Sequence, residues 1–251
     1  MLVDTFMFYN ELDVLELRLT VLDPHVDLFV IVEAELNHVG GPKELFFQKN
    51  KERFAKWLPK IRHIIVKQEE CPGDKNPWAR EKYQRECILR GLEGVPDNAC
   101  VMVSDLDEIP WMEKIPQSPL PHVICVVHMY MFEYSLKYIF TGEPWFGTVL
   151  TNCELFKRVG PNYLRENRWK FPVFQNCGWH LSSFGNSDHV YNKLQTYAHG
   201  KDPERESETP ELLHKYINDG IHLDGKTLLI SRPDDVPLPA NLDVLQRLNM
   251  L

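Results

Sequence analysis

The sequence has no excess of basic charge: 28 Lys and Arg stand against 36 Asp and Glu, for a formal net charge of -8. Broad nucleic-acid binding needs a basic face for phosphate contacts, so that class is excluded, although a local basic pocket for a small phosphorylated ligand is not. The six cysteines are Cys71, Cys87, Cys100, Cys125, Cys153 and Cys177, and none lies in a CxxC pair. The spacing of a zinc site is therefore missing. Scattered cysteines, with Cys100 and Cys125 inside apolar runs, read as reduced thiols of an intracellular protein. No apolar run approaches the roughly 20 residues of a membrane span. The opening MLVDTFMFYNELD lacks a basic n-region and carries acids at once, so a signal peptide is not expected. There is no internal repeat and no low-complexity linker. The expectation is one soluble, cytoplasmic domain over residues 1–251, with no transmembrane segment.

What is present is enough apolar material for a sizeable core: 43% of 251 residues are hydrophobic and 25% are charged. Short β-rich apolar runs at Val3–Tyr9, Leu28–Val32, Ile61–Val66 and Cys100–Ser104 alternate with helical patterns. One helix follows Asn10, with leucines at 12, 15, 19 and 22, and another spans Trp78–Leu92 behind Pro77. Strand–helix alternation predicts an α/β fold with a mostly parallel sheet covered on both faces. Beyond Pro110 the pattern is less regular. Strands are expected at His122–Met129, Met131–Phe140 and Gly147–Thr151, and helices at Asp188–Ala198 and Pro210–Asn218. The segment GKDPERESET (200–209) reads as a charged surface loop, and the proline-rich tail after Arg232 as a surface wrap.

In open α/β sheets, ligands bind beyond the carboxyl ends of the strands. Asn10, Glu33 and Asp105 all follow predicted strands and would gather along one edge. Asp105 belongs to VMVSDLDEIP (101–110), where an apolar run breaks into three acids and then a proline. Carboxylates crowded at a strand end need compensation by water or a cation. In extended backbone, Asp105 and Asp107 point to one face and can share a hard divalent cation. With this aspartate content a DxD arises by chance about once, so it is the placement that gives the motif weight.

Four further stretches accompany it: DTFMFYNELDVLELRL (4–19), VDLFVIVEAELNHVGGPK (26–43), NPWAREKYQRECILRGL (76–92) and GWHLSSFG followed by KLQTYAHG (178–185 and 193–200). In this order, from about Val3 to Gly225, the chain resembles glycosyltransferase family 17. That family includes the N-acetylglucosaminyltransferase III enzymes, which add the bisecting GlcNAc to N-glycans. The resemblance implies a GT-A-like nucleotide-diphospho-sugar transferase fold. Residues 1–110 would form the nucleotide-sugar-binding half, and 111–251 the acceptor-binding half and C-terminal tail. It also implies an inverting, metal-dependent transfer of a sugar, GlcNAc by likeness, from a UDP-sugar to a hydroxyl of a glycan acceptor. Animal members carry a membrane anchor and stem; neither is expected here, so a glycan or glycolipid precursor is the expected acceptor.

By the same likeness, Asp105, Asp107 and His180 would hold Mn²⁺ (or Mg²⁺), with Asp105 also able to contact the ribose and Glu108 orienting its neighbours. His199 is a weaker candidate beside them. Asn10 and Glu33 would meet the uridine. Their ordinary alternatives are a helix N-cap and a solvated loop acid. Arg80, Gln84 and Arg85, on the helix with Trp78, would meet the diphosphate. Arg85 can instead pair with Glu81 at i,i+4 on a surface helix. Asp188 is the first choice for the catalytic base and Glu143 the second. An acid in the first turn of a helix is also favoured by the macrodipole without any catalytic duty. Trp145, Trp169 and Trp179 are either sugar-stacking platforms or core.

Two rival readings remain. A metal-dependent phosphohydrolase also places paired aspartates after a buried strand, but usually as DxDxT early in the chain. Here Ile109 takes the threonine position, and the motif lies past residue 100. A non-catalytic sugar-binding module is the other, and the intact DxD argues against it.

Overall fold

The structure, a computed structural model, describes residues 1–73, 76–116, 123–197 and 208–250. In chain order the elements are β1 (Leu2–Phe8), α1 (Leu12–Leu22), β2 (Leu28–Ala34), α2 (Phe46–Lys49), β3 (Ile61–Val66), α3 (Pro77–Glu86), β4 (Cys100–Ser104) and β5 (Glu108–Pro110). Then come β6 (Cys125–Glu133), β7 (Tyr138–Asn152), α4 (Cys153–Val159), α5 (Pro161–Glu166), β8 (Val173–Phe174), β9 (Gly178–Ser182), α6 (Ser187–Thr196), α7 (Pro210–Asp219), β10 (Ile230–Ser231) and α8 (Leu242–Arg247).

One mixed sheet runs β3-β2-β1-β4-β7-β6-β9-β5 through both halves of the chain. The first four strands are mutually parallel, and β7 then joins β4 antiparallel. The chain leaves β1 toward β2 on one side and returns through β4 on the other, so a switch point lies at the carboxyl ends of β1 and β4. Alternation along the parallel strands sends Phe6, Ile31 and Met102 into one core layer and Val3, Val30, Val32, Val101 and Val103 into the other. Both faces are therefore buried, as continuous apolar strands require.

Several boundaries differ from the sequence expectation. The helix expected over Trp78–Leu92 is α3 only to Glu86, followed by a 3₁₀ turn over Cys87–Leu92. That turn lies so close to β2 that a Cβ on Gly91 would stand 2.1 Å from Val30 Cγ1. β6 runs through Tyr130 and joins the strand expected before it to the start of the one expected at Met131–Phe140; a turn at 134–137 splits the rest of that strand into the long β7, which also absorbs the strand expected at Gly147–Thr151. GWHLS, not foreseen as a strand, is β9. The tail does not merely wrap the surface: Val236, Leu245, Leu248 and Met250 enter the core layer that holds Phe6. The expected loop at 200–209 lies outside the described residues except for Glu208 and Thr209, and His199 lies outside them altogether. Among the described residues, no helix is long and apolar enough to cross a membrane.

Candidate functional site

A cavity of about 620 Å³ opens at the carboxyl ends of β1, β2 and β4. Met7, Phe8, Tyr9, Leu36, His38 and Trp78 line one end. Met131, Trp145, Trp169, Ser182 and His222, from the second half of the chain, line the other. Between them stand Asp105 and Asp107, with Arg85, Arg165, Arg168 and Lys193 around them.

The loop that carries the two aspartates is held from below. Asp4 lies on the same face of β1 as Phe6 and meets Arg18 of α1, which donates from Nε and Nη2 to its carboxylate at 2.8 and 2.7 Å. Both side chains are fully buried. The same guanidinium donates from Nη1 to the carbonyls of Asp105, Leu106 and Glu108, and from Nη2 to Ser104 Oγ. Arg18 thus fixes the backbone from β4 to β5. Immediately after that loop, β5 pairs with β9, with Glu108 opposite His180 and Pro110 opposite Gly178. A Cβ on Gly178 would come within 2.8 Å of the Ile109 carbonyl, so the glycine of GWH permits this pairing.

The three acids differ in environment. Glu108 is fully buried; it accepts from both Nη groups of Arg165, from Trp145 Nε1 at 2.9 Å and from the Asp105 amide at 2.9 Å. Asp105 accepts from Arg165 Nη2 at 2.7 Å, has Arg85 at 3.8 Å, and keeps 39% of its side chain exposed. Burial acts to raise its pKa, but Arg165, Arg85 and Arg168 outweigh that and hold the carboxyl well below its ordinary value. Asp107 accepts from Lys193 Nζ at 3.1 Å, and its Oδ1 faces His180 Nε2 at 3.7 Å. Burial opposes its ionisation too, and Lys193 and His180 lower its pKa despite that. Lys193 bridges to Glu11 at 3.4 Å, and the two carboxylates hold its pKa above the ordinary value against burial. His180 stacks on Trp145 at 4.3 Å between centroids, and burial lowers its pKa, favouring the neutral ring.

The sequence profile of glycosyltransferase family 17 matches residues 1–225. The chain belongs to glycosyltransferase family 17. No curated protein matches it. Among solved structures it is similar to the inositol-1-phosphate CTP transferase from T. maritima, at 11% identity and a TM-score of 0.43, over 88% of this chain and 97% of that one. It is also similar to the CTP:phosphocholine cytidylyltransferase of Streptococcus pneumoniae, at 11% identity and a TM-score of 0.40, over 77% and 97% of the two chains. The galactosyltransferase LgtC, crystallised with donor and acceptor sugar analogues, follows at 14% identity and a TM-score of 0.33, over 80% of each chain. Likeness this distant says nothing of substrate.

The residues expected of a family 17 glycosyltransferase divide into two groups. Asp105, Asp107, His180, Gln84 and Arg85 all line the cavity. Gln84 also donates to the Val32 carbonyl, and Arg85 pairs with Glu81 as the helix spacing predicts. The others do not line it. Glu33 is inside β2, not beyond it. It is fully buried and accepts from the Phe47 amide at 3.0 Å, with His63 at 3.1 Å and Lys43 at 3.7 Å. The fold uses all of its carboxylate, which leaves none for a uridine. Asn10 neither lines the cavity nor caps α1, whose N-cap is Glu11; its neighbours Tyr9 and Glu11 are the lining residues. Arg80 turns away to donate to the His38 carbonyl. Asp188 is exposed in the first turn of α6, while Val190, Lys193, Leu194 and Tyr197 form the helix face that lines the cavity. Glu143 is exposed on β7, away from the lining residues. Trp145 and Trp169 line the cavity, whereas Trp179 is core, stacked on Trp111 at 5.2 Å.

Sequence reasoning missed Arg18, Arg165, Arg168, Glu11 and Lys193. Three of these carried a signal, since Glu11 and Arg18 sit in DTFMFYNELDVLELRL and Lys193 opens KLQTYAHG. Arg165 and Arg168 lie in none of the quoted stretches, and the carboxylates that Arg165 meets are about 60 residues away in sequence.

Proposed function

We propose that this glycosyltransferase moves a sugar, GlcNAc by family likeness, from a UDP-sugar to a hydroxyl of a glycan or glycolipid acceptor, with inversion and with Mn²⁺ or Mg²⁺ as cofactor. One observation carries the reading: paired carboxylates and four cations share the middle of one cavity. A diphosphate that travels with a divalent ion needs both, carboxylates for the metal and cations for the phosphates.

Asp107 and His180 suit such an ion, while among the described residues no three His, Cys, Asp or Glu side chains already stand together as a metal centre, so Asp105 would have to swing in to complete the set. The 3.7 Å between Asp107 Oδ1 and His180 Nε2 is too long for a hydrogen bond. It is the separation expected of two ligands on one cation at roughly 2.0–2.3 Å each. His180 Nδ1 is buried without a hydrogen-bond partner, so no second contact fixes the ring in another role. Asp105, Asp107 and His180 would hold the ion, which when bound neutralises charge on the departing diphosphate. Arg85 and Lys193 would bind phosphate oxygens. Arg165, tied to Glu108, would keep Asp105 in place. Tyr9, Leu36 and Trp78 offer flat or apolar surface to a uridine, and Trp145 and Trp169 offer the same to sugar rings. The base that takes the acceptor proton would come from the cavity carboxylates Glu11, Glu81 and Glu166, not from Asp188 or Glu143.

Incubation with manganese and a panel of nucleotide sugars, with and without glycan acceptors, tests this. Release of UDP that depends on both acceptor and metal is the expected result. Release of inorganic phosphate would support hydrolysis, and binding without turnover a lectin-like role. Either outcome overturns the proposal.

A further inference from the structure

Among the described residues, one cation of the cavity has no ion-pair partner. Arg168, in the 3₁₀ turn that follows α5, makes no ion pair and no side-chain hydrogen bond among the described residues, and its Nε is buried without a partner. Arg85, Arg165 and Lys193 are each tied to carboxylates. The Arg168 guanidinium rests instead near two indoles, 4.5 Å from the Trp169 centroid and 4.8 Å from that of Trp145. Cation–π contact recovers part of the lost hydration, but it leaves the N–H donors unused. Burial and the like charge of Arg165 both act against the charged form. A guanidinium nevertheless stays ionised in proteins, so the site carries a positive charge that no carboxylate of the described residues pairs with directly. Contact with two indoles restrains the guanidinium beforehand, which reduces what is lost on binding.

We propose that Arg168 is a recognition residue for the diphosphate of the donor, held ready by Trp145 and Trp169. The inference rests on the donor reading above and adds to it the group that takes the phosphate charge left over by the metal. A planar fork with free N–H groups matches a phosphate face bidentately, which the ammonium of Lys193, already shared by Asp107 and Glu11, does not. An acceptor bearing an acidic group offers the same anionic chemistry from the other end of the cavity. The diphosphate is favoured because Trp145, which Arg168 rests on, donates to Glu108 and stacks on His180, so the guanidinium stands beside the paired-carboxylate centre of the cavity.

The test is calorimetric titration of the full chain with UDP, GDP, CDP, inorganic pyrophosphate and uridine, each with manganese, for wild type, Arg168→Gln and Arg168→Lys. Arg168→Gln should weaken the diphosphate that binds wild type about 10- to 100-fold while leaving uridine binding unchanged, which also certifies the fold. Arg168→Lys should fall between the two, since it keeps charge and loses the fork. Equal diphosphate affinity in wild type and Arg168→Gln overturns this inference alone. A raised KM for an acidic acceptor with unchanged diphosphate affinity overturns it in favour of the acceptor. If wild type binds none of the diphosphates, the donor reading falls and this inference falls with it. Binding of another nucleoside diphosphate in place of UDP corrects the base and leaves Arg168 to be judged on that ligand.

Discussion

Glu108 grips Arg165 with both oxygens, Oε2 to Nη1 at 2.6 Å and Oε1 to Nη2 at 2.9 Å, and Arg165 Nη2 also reaches Asp105 at 2.7 Å. The third acid of the SDLDE run therefore fixes the cation that neutralises the first. Sequence alone leaves open whether water or a cation compensates this knot of carboxylates. In the fold the cations are protein side chains, Arg165 for Asp105 and Lys193 for Asp107.

Glu108→Gln should therefore be costly. Glu108 and Arg165 are both buried, and losing the Glu108 charge leaves Arg165 with Asp105 as its remaining ion-pair partner among the described residues. We expect a loss of about 3 kcal/mol, read from the urea midpoint. An unchanged midpoint would show that Asp105 alone balances Arg165.

The Arg18–Asp4 pair separates stability from site geometry. Arg18→Met leaves a fully buried carboxylate alone and should cost about 3–5 kcal/mol. Adding Asp4→Leu should restore most of that, because an apolar pair of similar volume often replaces a buried ion pair without loss. Turnover should stay low in both variants, since neither can hold the carbonyls of Asp105, Leu106 and Glu108. Recovery of turnover in the double variant would mean that the loop keeps its shape without Arg18.

The parallel strands were legible because their signal is local. Ile61–Val66 is rich in β-branched residues and Cys100–Ser104 is apolar up to its last residue, and they are β3 and β4 residue for residue. The strand GWHLS was not, because a glycine, a tryptophan and a histidine make no alternating pattern; its place comes from pairing with β5 some seventy residues earlier. Glu33 shows the opposite error. A carboxylate at the end of an apolar run reads as a residue beyond the strand, yet the Phe47 amide, His63 and Lys43 let the sheet bury it. Among the site residues, those in the DxD and GWH runs reach the cavity, as do Gln84 and Arg85 of WAREKYQRE, whereas Arg80 of that run does not. The base was not readable, because which face of α6 looks inward depends on how Val190 and Leu194 pack against Leu213 and Tyr134.

That packing gives a prediction opposite to the one sequence suggests. Asp188→Asn and Glu143→Gln should each leave turnover within about twofold of wild type, the range expected of exposed substitutions remote from a site. Asp107→Ala should abolish transfer while the protein still unfolds cooperatively. Loss of turnover in Asp188→Asn with unchanged UDP binding would return the base to α6.

The last prediction concerns pH. His38 lines the end of the cavity proposed for the uridine, with Nε2 3.2 Å from Gln84 Oε1 and Nδ1 4.0 Å from Glu81 Oε2. Burial lowers its pKa more than Glu81 and Gln84 raise it, while Arg85 adds to the lowering and Asp105 opposes it. The neutral ring is therefore the folded form, and the unfolded chain takes up a proton first as pH falls below about 6.5. The stabilisation from His38 is complete above that value and is lost as pH falls through the lowered folded pKa. Wild type should thus lose more stability than His38→Gln between about pH 7.5 and about pH 5.5, measured as the shift of the urea midpoint in each protein. Parallel shifts would show that His38 protonates in the fold as readily as in the unfolded chain. The Gln84 contact would then carry a charged ring, and the uridine end of the cavity would gain a positive charge under mildly acidic conditions.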